Sequence, residues 1–311
     1  MRVLTRIDRE EIEALRARDE FFWLELHGSS PEEVQKVGDL FGLHPMAVKD
    51  LMAFGQRPKI DDYGEWVLLV YYGARLAEDG RPVLFEVQLV VSGSYIVSLH
   101  RDPAPELDQL RANFEQRQPT NESFVIYRVL DVLTDTFFPV LAAMDDSIDE
   151  LENAVIEQPT DEQLQRLFRL KRDFVGLRKV VTPMRDLFAR AGDDIIDLPG
   201  LEPGTRDYFR DVYDHLIRIS DLIDSYRDLL TGAMDVYLST VSNRLNIVMK
   251  QLTIIATIFL PLTFVTGFFG QNFSWLVGNI TGPGAFWAYG IGGLVVAVVG
   301  LMMWFRRSGY L

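Results

Sequence analysis

The 311-residue chain is 48% hydrophobic and carries 45 acidic against 31 basic side chains, a formal net charge of −14, with no cysteine. That composition supplies a sizeable core and excludes disulfides, thiolate metal sites and a cysteine nucleophile. It also sets the chain against nucleic acid and anionic lipid while attracting cations.

The charge is unevenly placed. No Asp or Glu follows Asp235, and the only charged side chains beyond it are Arg244, Lys250, Arg306 and Arg307. Taking those four from the 31 bases leaves 27 against 45 acids in residues 1–235, a net of −18.

In chain order, residues 1–120 predict a mixed α/β domain. Asp8–Arg18 and Pro31–Phe41 have helical patterning, while "EWVLLVYYGARL" (Glu65–Leu76) and "LFEVQLVVSGSYIVSLH" (Leu84–His100) are rich in β-branched and aromatic residues and broken by glycine. The first twenty residues hold no apolar h-region, so no secretory signal is expected and this acidic domain is expected in the cytosol. No P-loop, glycine-rich nucleotide fingerprint, HExxH or catalytic triad stands out, which argues against an enzyme.

Residues 121–200 predict a helical cytosolic hairpin, with helices over Leu130–Glu157 and Asp161–Ala191 and a turn at Pro159-Thr160. The carboxylates of "MDDSIDELE" (Met144–Glu152) read either as a solvated face or as a surface that accumulates magnesium. Residues 201–251 predict a stalk. Gly200 and Pro203-Gly204 mark a break, Thr205 is placed to cap a helix, and Tyr208, Val212, His215, Ile219, Leu222 and Tyr226 recur at three-to-four spacing. No proline interrupts before Pro261, so one helix is expected from Thr205 to Phe269, roughly 98 Å long, a rigid gating lever. His215 on its seam reads as a hydrogen-bonded packing residue.

Two apolar runs follow. Residues 252–269 and 286–305 carry no charge, and as helices they reach roughly 27 and 30 Å, enough to span a bilayer. Two buried core helices are the competing reading, against which stand the length, the absent charge and the Trp and Tyr at the ends of the second run. Bases flank the pair on the outside, Arg244 and Lys250 before and Arg306 and Arg307 after, while 270–285 is uncharged. The positive-inside rule then puts both termini, including the basic tail 306–311, in the cytoplasm and the loop outside, a multi-pass protein of the cell (inner) membrane.

Within the first run, Asn246, Met249, Thr253, Ala256, Leu260, Thr263 and Gly267 step alternately by three and four and share one helix face. Most of that face is small or polar. It reads as a packing face between helices or as a pore wall. Two helices cannot enclose water, so a pore requires several identical chains in cyclic symmetry, the second run forming the outer helix. No carboxylate, histidine or thiol lies in the stripe or loop, because His27, His44, His100 and His215 all precede the spans. Amide and hydroxyl oxygens remain, and Mg2+, which holds its water tightly, is best contacted through that water. A ring of Asn272 amides could hold the hydrated ion weakly enough to release it.

"MKQLTIIATIFLPLTFVTGFFGQNF" (Met249–Phe273), followed by a second span and a basic C-terminus, resembles the CorA-type divalent-cation transporters. "YFRDVYDH" (Tyr208–His215) and "DVYLSTVSNRLN" (Asp235–Asn246) are similar to that family's stalk helix, and "FGLHPMAVKDL" (Phe41–Leu51) and "QRPK" (Gln56–Lys59) to its N-terminal domain. The resemblance implies a homopentamer with a central pore, transporting Mg2+ and related ions such as cobalt. The stripe would line the ion path, Gly270, Gln271 and Asn272 would form the selectivity filter, and Lys250, Arg306 and Arg307 a basic ring near the membrane. The family signature is Gly-Met-Asn; here Gln271 replaces the methionine. The resemblance further implies cytosolic Mg2+ as a regulatory ligand bridging carboxylates between subunits, Asp211 on one side and Glu78 or Asp79 on the other. Zn2+, Co2+ or Ni2+ transport, proton-coupled or not, and a non-conducting Mg2+ sensor or scaffold are the competing readings.

Overall fold

The structure is a computed structural model that describes residues 1–117, 119, 121–199, 206–271, 273–279 and 282–307. Asn272, the break at Gly200 and Pro203-Gly204, the cap at Thr205 and residues 308–311 lie outside the described residues. Two compact units are present, Met1–Asp235 and Val236–Leu311.

The first unit is built on six strands, β1 (Arg2–Leu4), β2 (Phe22–His27), β3 (Lys59–Asp62), β4 (Trp66–Leu76), β5 (Pro82–Ser92) and β6 (Tyr95–His100). They form one sheet in the order β1-β2-β6-β5-β4-β3. β1, β2 and β6 run parallel, and β6, β5, β4 and β3 pair antiparallel. Side chains alternate between faces along each strand. Phe22, Leu24, Leu68, Val90 and Val97 enter one core with Ile12 of α1 (Arg9–Ala17), Val37 of α2 (Pro31–Phe41) and Leu51 of α3 (Pro45–Met52). The intervening positions meet other helices. Trp23 donates to Ser98 Oγ at 2.8 Å and packs edge-on to Phe114 of α4 (Pro105–Arg117). The hydroxyl of Tyr71 lies 2.6 Å from that of Thr134 on α5 (Glu122–Asp135), and its ring meets Phe188 of α7 (Asp161–Ile196) edge-on. Covering both faces is why these strands read as nearly unbroken apolar runs.

The helix expected over Leu130–Glu157 is interrupted. α5 ends at Asp135 and α6 (Phe137–Glu157) starts afresh after Thr136. Pro139 explains the break, since it has no N–H to offer the Asp135 carbonyl and its ring crowds that oxygen. Thr136 makes the break structural: its Oγ1 accepts from Ala74 N of β4 at 2.8 Å and donates to the Leu133 carbonyl. α7 begins in a reciprocal cap, Thr160 N to Gln163 Oε1 at 2.9 Å and Gln163 N to Thr160 Oγ1 at 3.3 Å.

α8 (Arg206–Phe269) is continuous, with Pro261 inside it. In the second unit it is followed by α9 (Ser274–Asn279) and α10 (Pro283–Arg307), the last with a π-helical turn at Phe286–Ile291. α8 and α10 are long and apolar enough to cross a membrane.

Candidate ion pathway and cytosolic metal cluster

In the second unit, all seven stripe residues, Asn246, Met249, Thr253, Ala256, Leu260, Thr263 and Gly267, are exposed on the single chain, Leu260 to 74%. The opposite side of α8 is partly covered at Ile254, Ile258, Pro261, Leu262 and Val265. Leu262 and Val265 line cavities shared with Leu294 of α10, and Thr263 alone of the stripe borders one of them. The hydroxyls of Thr253 and Thr263 donate back to the carbonyls of Met249 and Phe259, each at 2.8 Å. With its hydrogen committed to the backbone, each oxygen has only lone pairs to offer outward. That is the polarity that suits the hydrogens of water bound to a cation.

α8 closes with Gly270 N on the Thr266 carbonyl at 2.9 Å and Gln271 N on the Phe268 carbonyl at 3.3 Å. A Cβ at position 270 would sit 3.1 Å from the Thr266 oxygen, so this turn favours glycine. Gln271 is exposed, as are Lys250, Arg306 and Arg307.

In the first unit, Asp211 of α8 faces α5. Its Oδ2 accepts from the Tyr127 hydroxyl at 2.8 Å, and its Oδ1 lies 4.0 Å from His215 Nε2, one turn along. His215 Nδ1 is 3.5 Å from Asp131 Oδ1 and 3.5 Å from Asp135 Oδ1. The His215 ring packs edge-on to Phe138, but the hydrogen-bonded packing role expected for it is incomplete: Nδ1 is buried and makes no hydrogen bond, nor does Asp131 Oδ1. Asp131 is only 3% exposed, its other oxygen held by Arg128. Burial first, and then the neighbouring Asp135, push the Asp131 carboxyl above the usual carboxylate range. Burial and the hydrogen bond to Asp211 push the Tyr127 phenol up likewise.

One ligand atom from each of Asp131, Asp135 and His215 lies within 4.8 Å of the others. Two carboxylates and an imidazole, two of the atoms buried and unbonded, form a donor set that a divalent cation fits. The carboxylates suit Mg2+, whereas the imidazole favours a softer ion or a water-mediated contact. Glu78 and Asp79 lie exposed in the β4–β5 turn, where Asp79 accepts from Arg81 N. Among the described residues, no hydrogen bond or ion pair joins either to Asp211 within one chain. Sequence reasoning named Asp211 but missed Asp131, Asp135 and Tyr127. The available signal was the one-turn spacing of Asp131 and Asp135 on the helix face that also carries Tyr127 and Arg128.

An acid-rich α/β unit is followed by a helix long and apolar enough to cross a membrane, with a second such helix after it, the make-up of a membrane protein of few spans. The chain belongs to the CorA-like Mg2+ transporter family, which it matches over residues 18–307. It is 35% identical over 303 residues to the cobalt/magnesium transport protein CorA of Thermotoga maritima, covering 93% of this chain and 83% of that one. The zinc transport protein ZntB of Yersinia enterocolitica is 26% identical, with 93% and 88% covered. The solved structure of the CorA magnesium transporter of Methanocaldococcus jannaschii shares the fold at TM-score 0.79 and 24% identity, over 93% of this chain and 91% of that one. Membership makes this a divalent-cation transporter of the membrane and not an enzyme.

Proposed function

We propose that the chain imports hydrated Mg2+ across the cytoplasmic membrane as a homopentamer, with both termini inside and one α8 from each copy lining a central pore. The observation that carries this reading is the uncharged stripe from Asn246 to Gly267. It is exposed along its length on the isolated chain, as are apolar neighbours such as Phe259 and Phe264, but the amide of Asn246 and the hydroxyls of Thr253 and Thr263 suit a second copy or a water-filled axis better than lipid. The stripe runs toward Gly270-Gln271-Asn272. Leu260 and Met249 narrow the path, Asn272 amides ring the outer mouth, and Lys250, Arg306 and Arg307 form a basic collar inside. The membrane potential supplies the drive, roughly 4.6 kcal/mol per 100 mV for a dication.

Cytosolic Mg2+ closes the pore from the acidic unit. Asp211, with Asp131, Asp135 and His215 beside it, is the candidate ligand set, and Glu78 or Asp79 of a neighbouring copy is the candidate bridge. When the ion leaves, the carboxylates repel and the ring loosens, so the cargo limits its own import. Proteoliposomes holding a Mg2+-sensitive dye test both halves. Asn272→Ala should cut influx sharply, and Asp211→Asn should leave influx high when internal Mg2+ is raised. Vesicles impermeable to every dication, with internal Mg2+ removed, would end this reading in favour of a non-conducting sensor.

A second reading, transport of Zn2+, Co2+ or Ni2+, draws on Gln271 in place of the family's methionine, on the imidazole of His215 in the cluster, and on the ZntB likeness. Competition of each ion against Mg2+ influx, with and without a proton gradient, separates the two.

A further inference from the structure

One surface of the first unit runs against that unit's overall sign. Arg57, Arg178, Lys179 and Arg227 border a cavity of about 880 Å³, and among the described residues no acidic side chain lines it. Arg178 Nε and Arg227 Nη1 share one oxygen of Asp224, each at 3.1 Å, so two guanidiniums divide a single counter-charge. Arg57 and Lys179 are exposed and have no ion pair among the described residues.

The floor is fixed. Buried Glu86 takes Gly55 N at 2.6 Å, Gln56 N at 3.1 Å and the Tyr72 hydroxyl at 2.9 Å, which consumes its charge in holding the loop. Gly55, at φ +84°, makes the bend. Two atoms of residues bordering the cavity, Thr182 Oγ1 and Arg227 Nε, are buried without a hydrogen-bond partner. Arg57 belongs to the "QRPK" stretch, which the ion pathway does not use.

We propose that this cavity binds a phosphate-bearing organic anion of nucleotide size. Its phosphates lie on Arg57, Arg178 and Lys179, whose geometry and charge suit phosphate oxygens. Leu84 and Val175 form the apolar wall for the organic part. The volume suits a nucleotide and exceeds the needs of a lone phosphate.

Calorimetric titration of the full-length protein in detergent tests this, with EDTA present so that metal chelation contributes nothing. ATP should bind, and adenosine and pyrophosphate should each bind at least about tenfold more weakly. Arg57→Gln with Lys179→Gln should weaken ATP by about tenfold or more, with ligand-free melting unchanged because neither side chain holds the fold. Arg18→Gln with Lys36→Gln, exposed on other elements, removes equal charge and should leave binding intact. No ATP binding up to about 1 mM, pyrophosphate binding as tight as ATP, or equal losses in the two double variants would overturn the proposal. Each result is independent of ion flux.

Discussion

Replacing Asp131 by asparagine keeps the shape of the cytosolic cluster and removes one charge. The cluster's ligand atoms lie within 4.8 Å of one another. Two unit charges at that distance repel by roughly 3.5 kcal/mol at an effective dielectric near 20. Two things reduce the figure: the Asp135 side chain is 50% exposed, so water screens it, and Arg128 also bonds Asp131. A net relief of about 1 kcal/mol is left. In metal-free buffer Asp131→Asn should therefore melt slightly above the wild type. Added Mg2+ should then raise wild-type stability, by about 2.7 kcal/mol when the ion is a hundredfold above its dissociation constant, and should raise the variant much less. Thermal unfolding of the full-length protein in detergent, in EDTA and then in stepwise MgCl2, reads both quantities. An equal Mg2+ gain in the two proteins would show that the buried oxygen of Asp131 is no ligand. A variant that melts well below the wild type in EDTA would show that the Arg128 bond outweighs the repulsion.

Other expectations can be checked in the same preparations. Gly73 lies opposite Phe85 in the β4–β5 ladder, and an added Cβ would sit 2.3 Å from Phe85 Cζ; Gly73→Ala should cost about 1–3 kcal/mol, and Phe85→Leu beside it should recover part of the loss in a double-mutant cycle. Burial pulls the His100 imidazole down, but the Glu25 carboxylate 3.4 Å from Nε2, the hydrogen bond of Nδ1 to the Asp102 carbonyl and the nearby Asp108 outweigh it and hold the group above its usual value. Its stabilising contribution is therefore complete below about pH 6.5, the unfolded value, and is lost as pH rises through the folded value. Melting between mildly acidic and mildly alkaline pH at fixed Mg2+ should show this decline, and His100→Gln should flatten it. Thr263→Val removes an outward oxygen but leaves helix propensity nearly unchanged, so influx should fall several-fold with assembly intact by size-exclusion chromatography; unaltered influx would take the hydroxyl out of the ion path.

Features set by neighbouring residues were legible in the sequence. The helix over Pro31–Phe41 is read from its own periodicity, and the structure adds a capping box of Ser30 and Glu33 at its head. The strands were visible because helices cover both sheet faces, which demands apolar residues at nearly every position of β4, β5 and β6. The seven-residue stripe needs only the helical repeat to be seen. The break at Thr136 was hidden, because Pro139 is as acceptable in a first helical turn as it is disruptive in a helix interior. The cluster was hidden for a different reason. Tyr127 and Asp211, 84 residues apart, meet only once the register of α5 against α8 is set, and no spacing rule supplies that register. Until then Asp131 and Asp135 are two carboxylates one turn apart, which on most helices face water.

In the pentamer proposed above, the close of α8 at Phe269, directly before Gly270, has an electrostatic consequence for a mouth without fixed charge. Aligned peptide dipoles leave about half an elementary negative charge at a helix C-terminus. Five such ends around one axis would gather roughly 2.5 negative charges with no carboxylate present. An attraction made of backbone does not titrate, so acidification outside would leave it in place, and it is too diffuse to strip a cation of its water.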